Sequence, residues 1–264
     1  MGGGIFQPGS GVRFEWGAAG AERLVKDAAC LVVVDVLSFT TAVSVAVEKG
    51  TRVLPFWWPQ QPTTGPEQAA IEKAAAVYAR QSGARLAVHR KAVTPVEPWS
   101  LSPAHLSRAP FVSRLVLPSP NGAAISTAAP PGTPLVAACL RNTSAVGSWL
   151  TTHGYGTPER PVAVIAAGER WPDGSLRPAL EDLLGAGALI FELHAQGGCP
   201  PPAEAPAAKA SYEGTTDIPH ATAATASGRQ LIAMGCAEDV AIATDEDVSS
   251  LVPVRDGDGA FACG

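Results

Sequence analysis

Leu31-Val32-Val33-Val34-Asp35, followed directly by Val36-Leu37-Ser38-Phe39-Thr40-Thr41, is the stretch on which the fold reading turns. Its first four residues are all apolar and three are β-branched, so the run has no polar face. That is the pattern of a strand covered on both sides in a parallel sheet. Asp35 ends it. From Ser38 the period changes: Ser38 or Thr40 is available as a helix cap, Val43, Ala46 and Val47 form an inward stripe, and Gly50 stops it. Strand passing into helix makes one βα unit.

The same alternation recurs on both sides. Upstream, Val12 to Trp16 reads as a strand and Ala18 to Lys26 as a helix. Downstream come strands at Arg52 to Phe56, Arg85 to Val88, Leu115 to Leu117, Leu135 to Cys139 and Val162 to Ala166. Between and after them lie helices at Glu67 to Gln81, Asn121 to Ala128, Asn142 to Thr152 and Ala179 to His194. This recurrence predicts an α/β protein with a largely parallel sheet flanked by helices, and function at the carboxyl ends of its strands.

Proline-rich passages at Trp57 to Pro66, Thr94 to Pro103 and Cys199 to Pro206 read as connections, none of them an interdomain linker. Residues 1–264 are therefore expected to form a single domain, with flexible ends at 1–11 and 256–264. In the C-terminal third, Ala203 to Glu213, Ala221 to Thr225, Gly228 to Gly235 and Glu238 to Thr244 read as helices, and Leu251 to Val254 as the last strand.

The composition is that of a globular chain: 46% of residues are apolar and 16% charged. A net charge of -5, with His89-Arg90-Lys91 as the longest basic cluster, argues against nucleic-acid binding. An anionic substrate would have to be drawn by local groups: helix N-termini, single arginines or a metal ion. Five cysteines without a CxxC pair disfavour zinc and thioredoxin-type chemistry, and Cys30 and Cys139, beside apolar runs, suit small core positions. The five histidines show no paired ligand spacing. The start MGGGIFQPGSG lacks the features of a signal peptide, and no stretch reaches the roughly 20 apolar residues of a membrane span. A cytoplasmic protein is expected.

Four motifs stand where strands pass into helices. Asp35 to Thr41 sets a carboxylate beside hydroxyls and amides at a helix start, which suits a metal ion and an anion together; simple turn and helix capping uses the same residues. Ser119-Pro120-Asn121-Gly122 is a tight turn in which Asn121 orients a ligand or caps the helix and Gly122 admits close approach. Arg141-Asn142 offers an oxyanion clamp, or else a surface ion pair and a cap. Leu180-Glu181-Asp182 places two acids in a first helical turn, favoured there by the helix dipole and equally able to ligate a hard cation; Glu238-Asp239 is a second such pair.

Covalent phosphatase signatures are missing. Leu37 occupies the position where a haloacid-dehalogenase enzyme has its second aspartate, no cysteine is followed six residues later by arginine, and there is no GxxxxGK[ST] loop. Water activated by a metal remains.

In order and spacing these segments resemble the 2-phosphosulfolactate phosphatase family. Asp35-Val-Leu-Ser-Phe-Thr-Thr41 matches its Asp-Val-Leu-Arg-Ala-Thr-Thr, Asn121-Gly122 its asparagine-glycine turn, and Arg141-Asn142 its Arg-Asn-Ala helix start. Leu180-Glu181-Asp182 matches its Leu-Glu-Asp, and Gly228 to Asp239 its closing segment. The resemblance implies a three-layer α/β fold and magnesium-dependent hydrolysis of 2-phospho-3-sulfolactate to 3-sulfolactate and phosphate, on the route to coenzyme M. It implies Asp35, Glu181 and Asp182 as the catalytic and Mg2+-binding acids. Ser38, Thr40, Thr41, Asn121, Gly122, Arg141 and Asn142 would bind the substrate. At position 38 the chain departs from the motif: serine stands in place of arginine, a loss of about 1.5–3 kcal/mol of charge-assisted bonding. The expected partners are a small anionic phosphorylated substrate and a second copy of the chain in a homodimer, without nucleic acid or membrane. The alternatives are a diverged, non-catalytic anion-binding protein of the same fold and, behind it, a module for a nucleotide-like ligand.

Overall fold

Apolar runs build the sheet of this protein, and polar residues such as Asp35 and Asn121 stand between some of them and the next helix. The computed structural model describes residues 9–58, 65–197 and 204–264. Chain order runs β1 (Val12–Trp16), α1 (Gly17–Leu24), β2 (Cys30–Val34), α2 (Phe39–Glu48), β3 (Arg52–Phe56), α3 (Gly65–Gln81), β4 (Arg85–Leu86), α4 (Pro103–Arg108), β5 (Arg114–Pro118), α5 (Gly122–Ala128) and β6 (Leu135–Ala138). Next come α6 (Thr143–Thr152), β7 (Val162–Ala166), β8 (Glu169–Arg170), β9 (Leu176–Arg177), α7 (Leu180–Ala195) and α8 (Glu204–Glu213). The chain closes with α9 (Ile218–Ala223), α10 (Ala226–Ala233), α11 (Ala237–Ala243), β10 (Pro253–Arg255) and β11 (Phe261–Cys263).

Nine of these strands form one sheet in the order β1-β7-β2-β6-β10-β11-β3-β5-β4. The first four pair in parallel, as do the last three. Between the two blocks lies the antiparallel β10–β11 hairpin, antiparallel to β6 on one side and to β3 on the other. Three successive antiparallel pairings reverse the strand sense from one block to the other. A twist of about 20–25° per pair accumulates to roughly 100–125° over the five steps from β2 to β5. The turns that follow β2 and β5 meet, where Asp35 Oδ2 accepts from the Gly122 N–H.

Helices cover both faces, giving three layers. In β2, whose five residues are all buried, Leu31 and Val33 face a core completed by Val43, Ala46 and Ile125. Cys30, Val32 and Val34 face the other core, with Val146, Leu184 and Leu189. Each such aliphatic side chain contributes about 1.5–3 kcal/mol relative to exposure. The described cysteines are free thiols, and burial pushes Cys30 up to about 12 and Cys139 up to about 11. No helix among the described residues is long and apolar enough to cross a membrane.

The expected flexible tail at 256–264 is instead the second half of the central hairpin. Phe261 is fully buried, edge-on to the Phe39 ring at 6.2 Å, and Asp256 Oδ1 accepts from the N–H groups of Asp258 and Ala260 to shape the turn. Three-residue strands joined through a Gly-Asp-Gly turn carry too little periodicity to be read locally. The expectations for residues 1–8, 59–64 and 198–203, including Cys199, lie outside the described residues.

Candidate active site

β2 delivers Asp35 to the junction of the two blocks. Its Oδ1 accepts from the Phe39 N–H at 3.1 Å, closing the first turn of α2, and its Oδ2 accepts from the Gly122 N–H at 2.8 Å, across from the other block. Gly122 has no room for a side chain: a Cβ there would stand 2.3 Å from Phe39 Cδ1 and 2.8 Å from Asp35 Oδ2. Burial pushes the Asp35 carboxyl up to about 7, and the charges of Glu169 and Glu181 add to the rise against the two amide bonds.

The first turn of α7 brings Glu181 and Asp182 beside it. Asp182 Oδ1 accepts from Val36 N–H at 2.7 Å and Oδ2 from Gly168 N–H at 2.8 Å, so it ties the turn after β2 to the turn after β7. Gly168 sits at φ +64, a left-handed conformation that favours glycine. Burial, then the charges of Asp35 and Glu181, hold the Asp182 carboxyl well above the usual range. Glu181 is 2% exposed, and its Oε2 is buried without a hydrogen-bond partner.

A fourth acid, Glu169, comes from β8 and accepts from Asn121 Nδ2 at 3.0 Å. Its carboxyl is also pushed up, first by burial and further by Glu181, while the Asn121 bond opposes the rise. Glu169 leaves no periodic signal in the sequence, because the β8–β9 hairpin has only two residues on each side. The Pro172-Asp173-Gly174 turn was the available signal, with Asp173 Oδ1 accepting from Ser175 N–H at 2.9 Å.

Of the expected site residues, Asp35, Glu181, Asp182, Asn121 and Gly122 converge here, and Ser38 stands at the N-terminal end of α2. Four others do something else. Thr40 and Thr41 are fully buried, and their hydroxyls donate to the carbonyls of Asp35 and Val36 at 2.8 Å, locking the turn with no face left for a ligand. Asn142 is also fully buried and engaged with Cys139 N–H and the carbonyls of Ala137 and Leu251. Arg141 pairs with Glu48 at 3.1 Å and with the Ile242 carbonyl. Glu48 ends α2, about 14 Å along that helix from its start at the Asp35 turn.

A family model described as 2-phosphosulpholactate phosphatase matches residues 19–258, a span that takes in every strand of the two blocks but β1 and the whole acidic cluster. The chain belongs to the 2-phosphosulpholactate phosphatase family. It is therefore a phosphoric monoester hydrolase by type. No curated protein matches it. The magnesium implied by the 2-phosphosulpholactate phosphatase resemblance fits the donors present. They are oxygens only, they repel one another, and the unpartnered Glu181 Oε2 is a buried acceptor in want of a positive charge. Among the described residues no group of three or more His, Cys, Asp or Glu side chains makes a ready cage. Magnesium commonly takes only one or two carboxylates and completes its shell with water and substrate phosphate.

Proposed function

We propose that this chain hydrolyses 2-phospho-3-sulfolactate to 3-sulfolactate and phosphate with a magnesium ion held by Asp35 and Glu181. When bound, the ion would neutralise the acidic cluster and polarise the phosphoryl oxygens. Glu169, oriented by Asn121 and with its proton affinity raised, is suited to take a proton from the attacking water. That proton is then available to the alkoxide released when the P–O bond breaks. Asp182 accepts from the Val36 and Gly168 amides and so positions the turns after β2 and β7. A reducing, cytoplasmic setting fits the free thiols.

The observation that supports this reading most is that Asp35, Glu169 and Glu181 lie near enough for their charges to act on one another, with Asn121 donating to Glu169, in a chain of this family. Phosphate release from 2-phospho-3-sulfolactate, measured with magnesium and with EDTA, tests it. Magnesium-dependent release is expected. Binding without turnover would instead mark a diverged anion-binding protein.

A further inference from the structure

Arg90 opens a single turn of 3-10 helix, Arg90–Ala92, between β4 and α4. Its guanidinium reaches the start of α2, where Nη2 donates to Ser38 Oγ at 2.7 Å and to the Leu101 carbonyl at 3.3 Å. Nε donates to Asp239 Oδ2 at 3.1 Å. Asp239 is fully buried and is itself fixed, with Oδ1 accepting from Ser102 Oγ and from Ala104 N–H at 3.1 Å. The cation is thus aimed through a buried carboxylate, and its side chain is only 18% exposed.

An ion pair that merely tied this turn to α11 would be complete with Asp239 and Leu101. The third bond puts a permanent positive charge on the cap residue of α2, one position before Phe39, whose N–H holds Asp35. Among the described residues Nη1 has no hydrogen-bond partner, so part of the planar fork remains free. Ser38 Oγ accepts from the guanidinium, which leaves its own O–H to donate. The charges that act on Asp35 are those of acids, and Arg177 acts on Glu169, so a substrate with several anionic groups is served by a further fixed cation away from the carboxylates. A hard divalent ion takes carboxylate and phosphate oxygens. The weakly basic sulfonate is left for fixed donors of this kind.

Building on the proposed function, we infer that Arg90, held by Asp239 against Ser38, binds the substrate's sulfonate and sets the preference for sulfonated phosphoesters. It supplies in space the cation that position 38 lacks in sequence.

The test uses the full chain with magnesium. Calorimetric titration with 3-sulfolactate is compared with kinetics on 2-phospho-3-sulfolactate and on 2-phospholactate, which has no sulfonate. Arg90→Gln should weaken 3-sulfolactate binding and raise KM for the sulfonated substrate by about 10- to 100-fold. It should leave 2-phospholactate kinetics within about twofold, as should the exposed control Lys91→Gln for both substrates. Arg90→Lys keeps a charge against Asp239, so it guards against misfolding, and a smaller loss confined to the sulfonated ligands is expected of it. Equal losses on both substrates, or 3-sulfolactate binding unchanged or absent in the wild type, would overturn the inference. Arg90-dependent binding of 3-sulfolactate without turnover would sink the phosphatase reading and leave this one standing. Turnover indifferent to Arg90 would do the reverse.

Discussion

The two strand blocks contribute opposite things to one site. The block of β1, β7, β2 and β6, with the turns and helix that follow it, supplies three buried acids and the partly buried Glu169. The block of β3, β5 and β4 supplies the Gly122 amide, the Asn121 side chain and the Arg90 guanidinium. The acids are the unfavourable half, because carboxylates gathered away from water repel one another. At the seam the Gly122 amide and the Asn121 side chain donate to these acids, while Arg90 keeps a partner of its own, Asp239 of α11. The contact of Asp35 with the Gly122 amide joins the two blocks there.

The most damaging way to break this arrangement is at Asp35. Asp35→Asn should lower phosphate release by about 100- to 1,000-fold or more. It should also cost about 1–3 kcal/mol of stability, because its NH2 would face a backbone N–H where an oxygen now accepts. Urea denaturation beside the phosphate assay separates the two losses, and full activity in the folded variant would remove Asp35 from the chemistry.

Gly122→Ala attacks the joint without touching an acid. The new methyl would be driven into the Phe39 ring and Asp35 Oδ2, so a destabilisation of about 1–3 kcal/mol is expected, with a fall in turnover. A variant as stable as the wild type would show that the blocks do not meet this tightly.

Arg141→Ala sharpens the contrast between site and scaffold. Its ion pair with Glu48 and its bond to the Ile242 carbonyl lie away from the acids. Stability should fall by about 1–3 kcal/mol while kcat/KM stays within about twofold. A selective loss of kcat/KM at unchanged stability would return Arg141 to the substrate.

A milder perturbation is pH. Folded Asp35 keeps its proton up to about 7, whereas an unfolded aspartate loses it near 4. The stability this group contributes is therefore full below about pH 4 and is lost as the pH climbs through 7. The raised carboxyls of Asp182 and Glu169 act in the same direction. The urea midpoint of metal-free protein should fall between pH 5 and pH 8, less so in Asp35→Asn, and magnesium should reverse the fall. A midpoint that rises over this range without metal would contradict the buried acidic cluster.

What could be read from the sequence follows from these forces. β2, α2 and the start of α7 are long and strongly patterned, so Asp35, Glu181 and Asp182 stand at boundaries that local rules locate. Thr40, Thr41 and Asn142 mislead because the groups that bind oxyanions are the same ones that satisfy free backbone positions at turns and helix starts. Glu169 and Arg90 escape because a two-residue strand and a single 3-10 turn leave no periodic trace. Arg90 reads only as part of a basic cluster, and its meaning comes from Asp239, 149 positions away along the chain.

The central hairpin bears on how the molecule is made. Residues 253–263 leave the ribosome after every other strand, yet they sit in the middle of the sheet. A nascent chain therefore cannot close the sheet between its two blocks until these segments are made.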